Sequence, residues 1–162
     1  MYLGELTRIL ILDAIEKGII NLPMNIFCKK GILETRHLSA IEDDERMNFQ
    51  KMDEVLEELG ISAKDMTCFD RRTLRYLCEC VSFRAANLAG AGIAALANKL
   101  RRSKLTIGMD GSLYKFHPHF GRIMKAAARR LICDCTDFNM VLAEDGSGRG
   151  AALAVAAATN IR

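Results

Sequence analysis

The chain has 162 residues, enough for one domain with a buried core, and a hydrophobic content of 50% excludes global disorder. Its formal net charge of +3 is small and unevenly spread, which does not favour a nucleic-acid partner. We interpret the acidic run at 42–45 and the basic stretch at 122–130 as solvated helix faces.

The first thirty residues are predicted to form a helix and a loop. Residues 1–17 read as a helix that is apolar nearly all round and that ends at Lys17 and Gly18. A helix of this kind is normally buried on several sides, so we expect some of its packing partners to be absent from this chain. A loop with Pro23 follows at 21–30. Glu5 and Arg8 interrupt the first apolar run, so it does not resemble a signal peptide.

Two further helices are predicted before residue 61. A short helix begins near Thr35, with Ser39 and Glu42 spaced as a capping box. Residues 48–59 form an amphipathic helix, and Gly60 ends it.

Residues 70–102 are predicted to form one long helix whose middle consists almost entirely of small residues. Gly90 and Gly92 each weaken an isolated helix by roughly 1 kcal/mol, so a closely packed second backbone must compensate. A membrane dimer motif is the alternative, but polar residues interrupt the stretch. Its uncharged part, 85–98, is too short to cross a bilayer, and we expect no membrane span.

The last third alternates strands and helices. A strand at 104–109, a helix at 118–131, a strand at 136–143 and a helix at 150–160 predict parallel strands joined by helical crossovers.

Two turns follow the predicted strands. Ligands of open α/β sheets lie at the carboxyl ends of strands, where Asp110, Gly111 and Ser112 are expected. Gly111 permits a tight turn, and the Ser112 hydroxyl could contact a nucleotide. An unliganded turn built from good turn residues accounts for this pattern equally well.

The second turn, 144–150, contains three glycines and Arg149. Three glycines are costly in chain entropy unless the backbone must approach something closely. The turn is neither a Walker loop nor a full dinucleotide fingerprint. Together the two strand–turn–helix units predict a phosphate- or nucleotide-binding edge.

Metal-binding and nucleophilic chemistry find little support. His117 and His119 are better explained as polar residues at a helix N-terminus than as metal ligands. The two Cys-x-Cys pairs, 78/80 and 133/135, lack the two-residue gap of a zinc knuckle. We interpret the cysteines as reduced thiols, some in the core, with a structural metal site as the alternative.

Taken together, several blocks of the chain resemble the eukaryotic ATP-dependent hexokinases. The resemblance covers essentially the whole chain in order and is most specific at 108–120 and 144–152. The remaining blocks are 1–5, 31–39, 82–86 and 89–92.

The resemblance implies a partial actin-like, ribonuclease-H-like ATPase fold, α/β and helix-rich, in which residues 1–162 form a single region from the C-terminal portion of the large lobe. It implies ATP with Mg²⁺ as cofactor, ATP and ADP as ligands, and a cytoplasmic or mitochondrial-surface location. The implied nucleotide contacts are Met1, Thr35, Arg36, His37, Leu38, Ser39, Ser112, Leu113, Tyr114, Lys115 and Phe116, with Asp110, Gly111, Gly146, Ser147 and Gly148 as weaker additions.

The chain also departs from the family. The phosphate loops, the catalytic base and the sugar-binding glutamates are absent, so no catalytic residue is expected here and hexose would bind only to the intact enzyme. The missing N-terminal portion of the same fold is therefore an expected partner. The connections at 21–30 and 101–104 also look shorter than usual. We expect the chain alone not to phosphorylate sugar; the alternative is a free-standing, non-catalytic nucleotide-binding or interaction module.

Overall fold

The computed structural model of the protein describes residues 2–44, 48–143 and 146–159. Strand β1 has the predicted bounds, and most other elements differ from the prediction by one or two residues at an end. The elements in chain order are α1 (Tyr2–Glu16), α2 (Met24–Phe27), α3 (Thr35–Glu42), α4 (Gln50–Glu58), a 3₁₀ turn (Ala63–Asp65), α5 (Cys68–Leu100), β1 (Lys104–Met109), α6 (Ser112–Phe116), α7 (Phe120–Leu131), β2 (Asp137–Leu142) and α8 (Gly146–Thr159).

The amino-terminal half packs around one hydrophobic cluster formed by α1 to α4 and the first half of α5. Only one face of α1 is covered: Ile11 is fully buried, whereas Leu6 and Ile9 are 45% and 51% exposed. The predicted apolar stripe of α4 is buried as expected. Its fully buried members are Met52 and Leu56. The short helix α2 lies inside the segment predicted as a loop.

The predicted capping box of α3 is wrong in its residues. Glu34 is the N-cap, and its backbone N–H donates to Nδ1 of His37 at 3.0 Å. Ser39 lies within the helix, where its hydroxyl donates to the carbonyl oxygen of Thr35 at 3.2 Å. The helix therefore begins at Thr35, as predicted, four residues before Ser39, the residue that suggested its cap.

Helix α5 connects the two halves of the molecule. It begins at a capping box in which Thr67 Oγ1 accepts from the Asp70 backbone N–H at 3.1 Å. About every fourth residue along it is buried, which places one continuous face against both hydrophobic clusters. The buried positions are Asp70, Leu74, Cys78, Ser82, Ala86, Gly90, Ala94 and Ala97.

The small residues of α5 allow α7 to approach closely, but of the two central glycines only Gly90 lies at this contact. A Cβ atom built at Gly90 would lie 2.6 Å from the carbonyl oxygen of Met124 and 2.7 Å from Cβ of Ala127. A Cβ atom built at Gly92 would meet nothing within 4 Å. Close packing therefore explains Gly90, and the prediction that it also explains Gly92 is wrong.

Within the described ranges, α5 is the one helix long and apolar enough to cross a membrane by length and composition. The central helix of a packed domain meets the same two conditions. Helices α1, α3 and α7 all pack along α5. We interpret α5 as a core helix on the basis of this packing.

The carboxyl-terminal half is built on the predicted parallel pair. Strands β1 and β2 pair in register from Lys104 opposite Asp137 to Met109 opposite Leu142, and α6 and α7 form the crossover. Their buried side chains join α5 and α7 in the second hydrophobic cluster. In the described residues the sheet has two strands, and a sheet of this size depends on packing against helices for stability.

The described part of the chain leaves a large apolar surface uncovered. Between α5 and α7 runs a shallow groove of about 690 Å³ that includes Phe83, Leu88 and Leu131, each more than half exposed. Helix α8 is exposed at every residue from 148 to 159, including Leu153 at 71%. Single exposed apolar residues are ordinary, but contiguous faces of this kind mark surfaces that another element covers.

Candidate nucleotide-binding site

A cleft opens at the carboxyl ends of the two parallel strands. The Ala143 N–H donates to the carbonyl oxygen of Met109 at 2.8 Å, so the two strand ends lie side by side. The cleft has a volume of about 310 Å³. Its lining residues are Asp110, Gly111, Ser112, Lys115, Phe116, Leu142 and Ala143. The structure thus brings together five of the residues predicted from the sequence.

The backbone turn into this cleft depends on Gly111. Its φ of +139° lies in a region that L side chains rarely adopt. The turn sends the chain directly from β1 into α6, and the Lys115 N–H donates to the Gly111 carbonyl at 3.2 Å. The backbone conformation at position 111 therefore favours glycine, and this glycine also lies beside the cleft.

The side chains of α6 divide between the cleft and the core. Phe116 is 69% exposed, and the Lys115 ammonium lies 5.2 Å from the centroid of its ring. Leu113 and Tyr114 instead pack against the second hydrophobic cluster. Of the predicted contacts in 112–116, Leu113 is placed as a packing residue, and Ser112, Lys115 and Phe116 line the cleft. Tyr114 packs against the cluster and also lines a second, neighbouring cleft.

A second, more basic cleft of about 510 Å³ adjoins the first. Lys115 lines both clefts, and Arg122 and Lys125 of α7 line the second. This concentration of cations beside the strand ends creates a positive potential that attracts anionic ligands. The basic stretch at 122–130, interpreted from sequence as a solvated face, therefore contributes two of its residues to the edge of the site.

The predicted contacts at 35–39 lie in the first turns of α3, and most of their side chains have structural partners. Arg36 forms ion pairs with Glu34 and Glu58. The Arg36 pKa is raised, chiefly by the hydrogen bond to Glu58. Leu38 is fully buried, and His37 is 3% exposed. His37 and Leu38 are thus occupied in capping and in the core.

The start of α1 and the start of α3 lie together, as the predicted contacts require. A Cβ atom built at Gly4 would collide with the backbone of Leu33 and Glu34, so the two segments are in direct backbone contact. Met1 itself lies outside the described residues.

The third predicted segment has a different local structure from the one expected. Residues 144–150 were predicted as a glycine-rich loop, but α8 already begins at Gly146. Gly146, Ser147 and Gly148 therefore lie in its first turn, and a Cβ atom built at Gly150 would meet nothing within 4 Å. The backbone approach expected to justify these glycines is not present at Gly150.

A buried polar cluster, missed by sequence reasoning, joins α3, α5 and the α6–α7 connection. Ser82 Oγ donates to Glu42 Oε2 at 2.8 Å, and His117 Nε2 lies 3.5 Å from Glu42 Oε1. His117 Nδ1 accepts from the N–H groups of His119 and Phe120 at 3.3 and 3.2 Å. His117 Nε2 and Glu42 Oε1 face each other at 3.5 Å as buried polar atoms, and neither forms a hydrogen bond within the part of the chain that the structure describes.

This cluster corrects the interpretation of 42–45 as a solvated face, because Glu42 and Asp44 are 1% and 4% exposed. The signal in the sequence was the position of Glu42, four residues after Leu38 and next to Ile41, on the buried stripe of α3. The prediction that His117 lies at a helix N-terminus is confirmed, since it caps the start of α7. Within the described residues, no group of three or more His, Cys, Asp or Glu could hold a metal ion.

The chain has parallel strands joined by a helical crossover and a cleft at their carboxyl ends, which is the edge where open α/β sheets commonly bind ligands. Comparison with known proteins identifies the family. The family model described as Hexokinase matches residues 1–157. The chain belongs to the hexokinase family.

Individual proteins that are similar in sequence to this chain are also hexokinases. Hexokinase-1 of Rattus norvegicus is 40% identical over 173 aligned positions, which cover 100% of this chain and 18% of that protein. Hexokinase-2 of Equus caballus is 39% identical, covering 100% of this chain and 18% of its own length. The chain thus spans less than a fifth of these relatives. Both alignments are longer than the 162-residue chain, so the chain is shorter than these relatives somewhere within the matched region.

The solved structure of the hexokinase from Schistosoma mansoni complexed with glucose matches with a TM-score of 0.81 at 39% identity. The match covers 94% of this chain and 34% of that chain. The predicted fold, a helix-rich part of the actin-like ATPase fold, is therefore confirmed.

Proposed function

We propose that this chain supplies the nucleotide-binding side of a hexokinase, an enzyme that transfers the γ-phosphate of ATP to the 6-hydroxyl of a hexose. The observation that carries the proposal is the cleft at the strand ends, where the predicted residues Asp110, Gly111, Ser112, Lys115 and Phe116 come together in a member of this family.

The chemistry of the cleft suits a nucleotide. Lys115, together with Arg122 and Lys125, provides positive charge for the phosphates. The exposed ring of Phe116 offers an apolar surface to the base or ribose. Mg²⁺ would arrive with the nucleotide, bound to its phosphates, where it neutralises charge on the transferring group.

We further propose that the chain is inactive alone and works with the N-terminal portion of the same fold. Phosphoryl transfer requires positioning together with charge stabilisation at the γ-phosphate. The groups that perform those tasks in the family have no counterparts in this sequence. The uncovered faces of α1 and α8 and the groove beside Phe83 are apolar surfaces for such a partner.

ATP binding by the purified chain tests the first part of the proposal. Titration with ATP, followed by ¹H–¹⁵N NMR, should shift the backbone signals of 110–116. Lys115→Ala should weaken binding about tenfold, the equivalent of about 1.4 kcal/mol. Lys104→Ala is the matched control, because Lys104 is an exposed lysine at the start of β1, the end of that strand away from the cleft. Equal affinities for the two variants would contradict the assignment of this cleft.

Complementation tests the second part. The chain is mixed with the segment of Rattus norvegicus Hexokinase-1 that precedes the matched region, and glucose-dependent ADP formation is measured. Activity should require both polypeptides and should fall with Lys115→Ala but not with Lys104→Ala. Glucose-dependent turnover by the chain alone would refute the expected inactivity. ATP binding without activity in the mixture would favour the non-catalytic module.

A further inference from the structure

Two cysteines flank Asp134 in the tight turn between α7 and β2. The Thr136 N–H donates to the carbonyl oxygen of Cys133 at 2.9 Å and closes the turn. Both Cys133 and Cys135 are exposed free thiols. The turn is at the amino-terminal end of β2, at the opposite end of the strand from the cleft proposed to bind nucleotide.

The turn brings the Cys135 backbone to the Cys133 sulfur. The Cys135 N–H donates to Sγ of Cys133 at 3.4 Å, and Sγ of Cys135 lies 3.9 Å from the Thr136 hydroxyl oxygen. The hydrogen bond from the Cys135 side chain is the main reason that the pKa of the Cys133 thiol is lowered. Burial instead raises the pKa of the Cys78 thiol, so that thiol is inert by comparison.

Both ends of the turn are anchored to the rest of the fold. The Cys133 N–H donates to Asn98 Oδ1 at 3.0 Å, and Asn98 Nδ2 donates to the Leu131 carbonyl at 2.9 Å. Arg129 donates to the carbonyl of Thr136, whose side chain is buried. The turn therefore holds two solvent-exposed cysteines, separated by one residue, in a fixed position on the fold.

We propose that Cys133 and Cys135 form a thiol–disulfide exchange site that reacts with low-molecular-weight disulfides of the glutathione type. The Cys133 thiolate attacks one sulfur of the disulfide, and one glutathione thiolate leaves. The Cys135 thiol then loses its proton to solvent, attacks the Cys133 sulfur and expels the second glutathione. Two protein thiols are oxidised to an intrachain disulfide, and one glutathione disulfide is reduced to two thiols.

The product would be readily reversible. A ring that encloses the single residue Asp134 is small and strained, and strained, exposed disulfides have oxidising potentials and are easily reduced. The site is therefore suited to a reversible modification rather than to a permanent structural bond.

The test uses the full, reduced 162-residue chain and oxidised glutathione, with intact mass and peptide mapping after acid quenching. The peptide containing both cysteines should lose two hydrogen atoms and carry no glutathione, and a dithiol reductant should restore it. The exposed Cys28 and Cys68, each in a separate peptide, serve as internal comparisons. Glutathione retained on both Cys133 and Cys135, or an unchanged peptide while Cys28 is modified, would overturn the proposal.

Two serine variants separate the steps. Cys135→Ser should stop at the mixed disulfide, with one glutathione held on Cys133. Cys133→Ser should react at position 135 more slowly than Cys135→Ser reacts at 133. Equal rates in the two variants would contradict the role of Cys133 as the attacking thiol. Both positions are exposed, so the substitutions leave the fold intact, which far-UV circular dichroism verifies.

Discussion

Replacing Gly90 and Gly92 separately with alanine tests how closely α5 packs against α7. The two glycines lie in the same helix, two residues apart, but on different faces. The Gly90→Ala side chain would approach the Met124 carbonyl oxygen to 2.6 Å and the Ala128 backbone nitrogen to 3.0 Å. The Gly92→Ala side chain would enter open space.

The two variants should change stability in opposite directions. Alanine is favoured over glycine in a helix interior by about 1 kcal/mol, and this gain applies to both positions. At Gly90 the neighbours include the backbone of α7, which cannot move aside as a flexible side chain can. Overpacking of this kind costs up to about 3 kcal/mol. We therefore expect Gly90→Ala to lose about 2 kcal/mol and Gly92→Ala to gain about 1 kcal/mol.

Urea unfolding followed by far-UV circular dichroism measures the difference, and the chain contains no tryptophan to report it by fluorescence. With a slope of about 2 kcal/mol per molar urea, the two midpoints should differ by roughly 1.5 M. Because glycine-to-alanine effects on the unfolded chain are the same at both sites, the difference isolates the packing of α5 against α7. Equal stabilisation by both substitutions would refute the close approach at Gly90.

Two further predictions concern polar groups. Ser82→Ala removes the hydrogen bond to buried Glu42 and should lower the free energy of unfolding in urea by about 1–3 kcal/mol. Ser39→Ala is the control, because it removes a hydrogen bond within one helix and should have little effect. Similar losses of stability in the two variants would contradict the importance of the buried cluster. The hydrogen bonds from Arg8 lower the pKa of Glu5 from 4.5 to about 2, so the Glu5 carboxylate stabilises the fold above pH 4.5 and this contribution is lost as the pH falls toward 2. Glu5→Gln should therefore reduce the fall of the urea midpoint over that range, and an unchanged pH dependence would show that the pair contributes nothing.

Much of the secondary structure could be predicted because its signals are local. Strand β1 alternates exposed and half-buried residues, and α4 repeats apolar residues at helical spacing. Helix α8 was predicted to start four residues too late, because glycines at 146, 148 and 150 favour a turn on intrinsic propensity alone. The cap of α3 was assigned wrongly because the segment contains more than one residue that could cap a helix: Ser39 fits the usual pattern, but Glu34 is the N-cap.

The candidate site was predictable in part. Parallel strands end at one edge, so Asp110 to Ser112 were expected beside a cleft, and the structure places them there. The burial and contacts of individual side chains in α3 were not predictable, because the sequence does not show which elements pack against each face of the helix. Leu38 enters the core, and His37 reaches back to the Glu34 backbone.

By itself the sequence determined the order of the longer helices and the two strands, the parallel crossover and the family, since periodicity, turn residues and motif blocks are properties of contiguous segments. The short helices α2 and α6 were not predicted. Only the tertiary structure decided which glycine of α5 is in contact with α7 and which carboxylate is buried with Ser82 and His117. The members of that cluster lie 35 and 40 residues from one another along the chain. Such contacts depend on how helices pack, and helix packing is set by the surfaces of several segments at once.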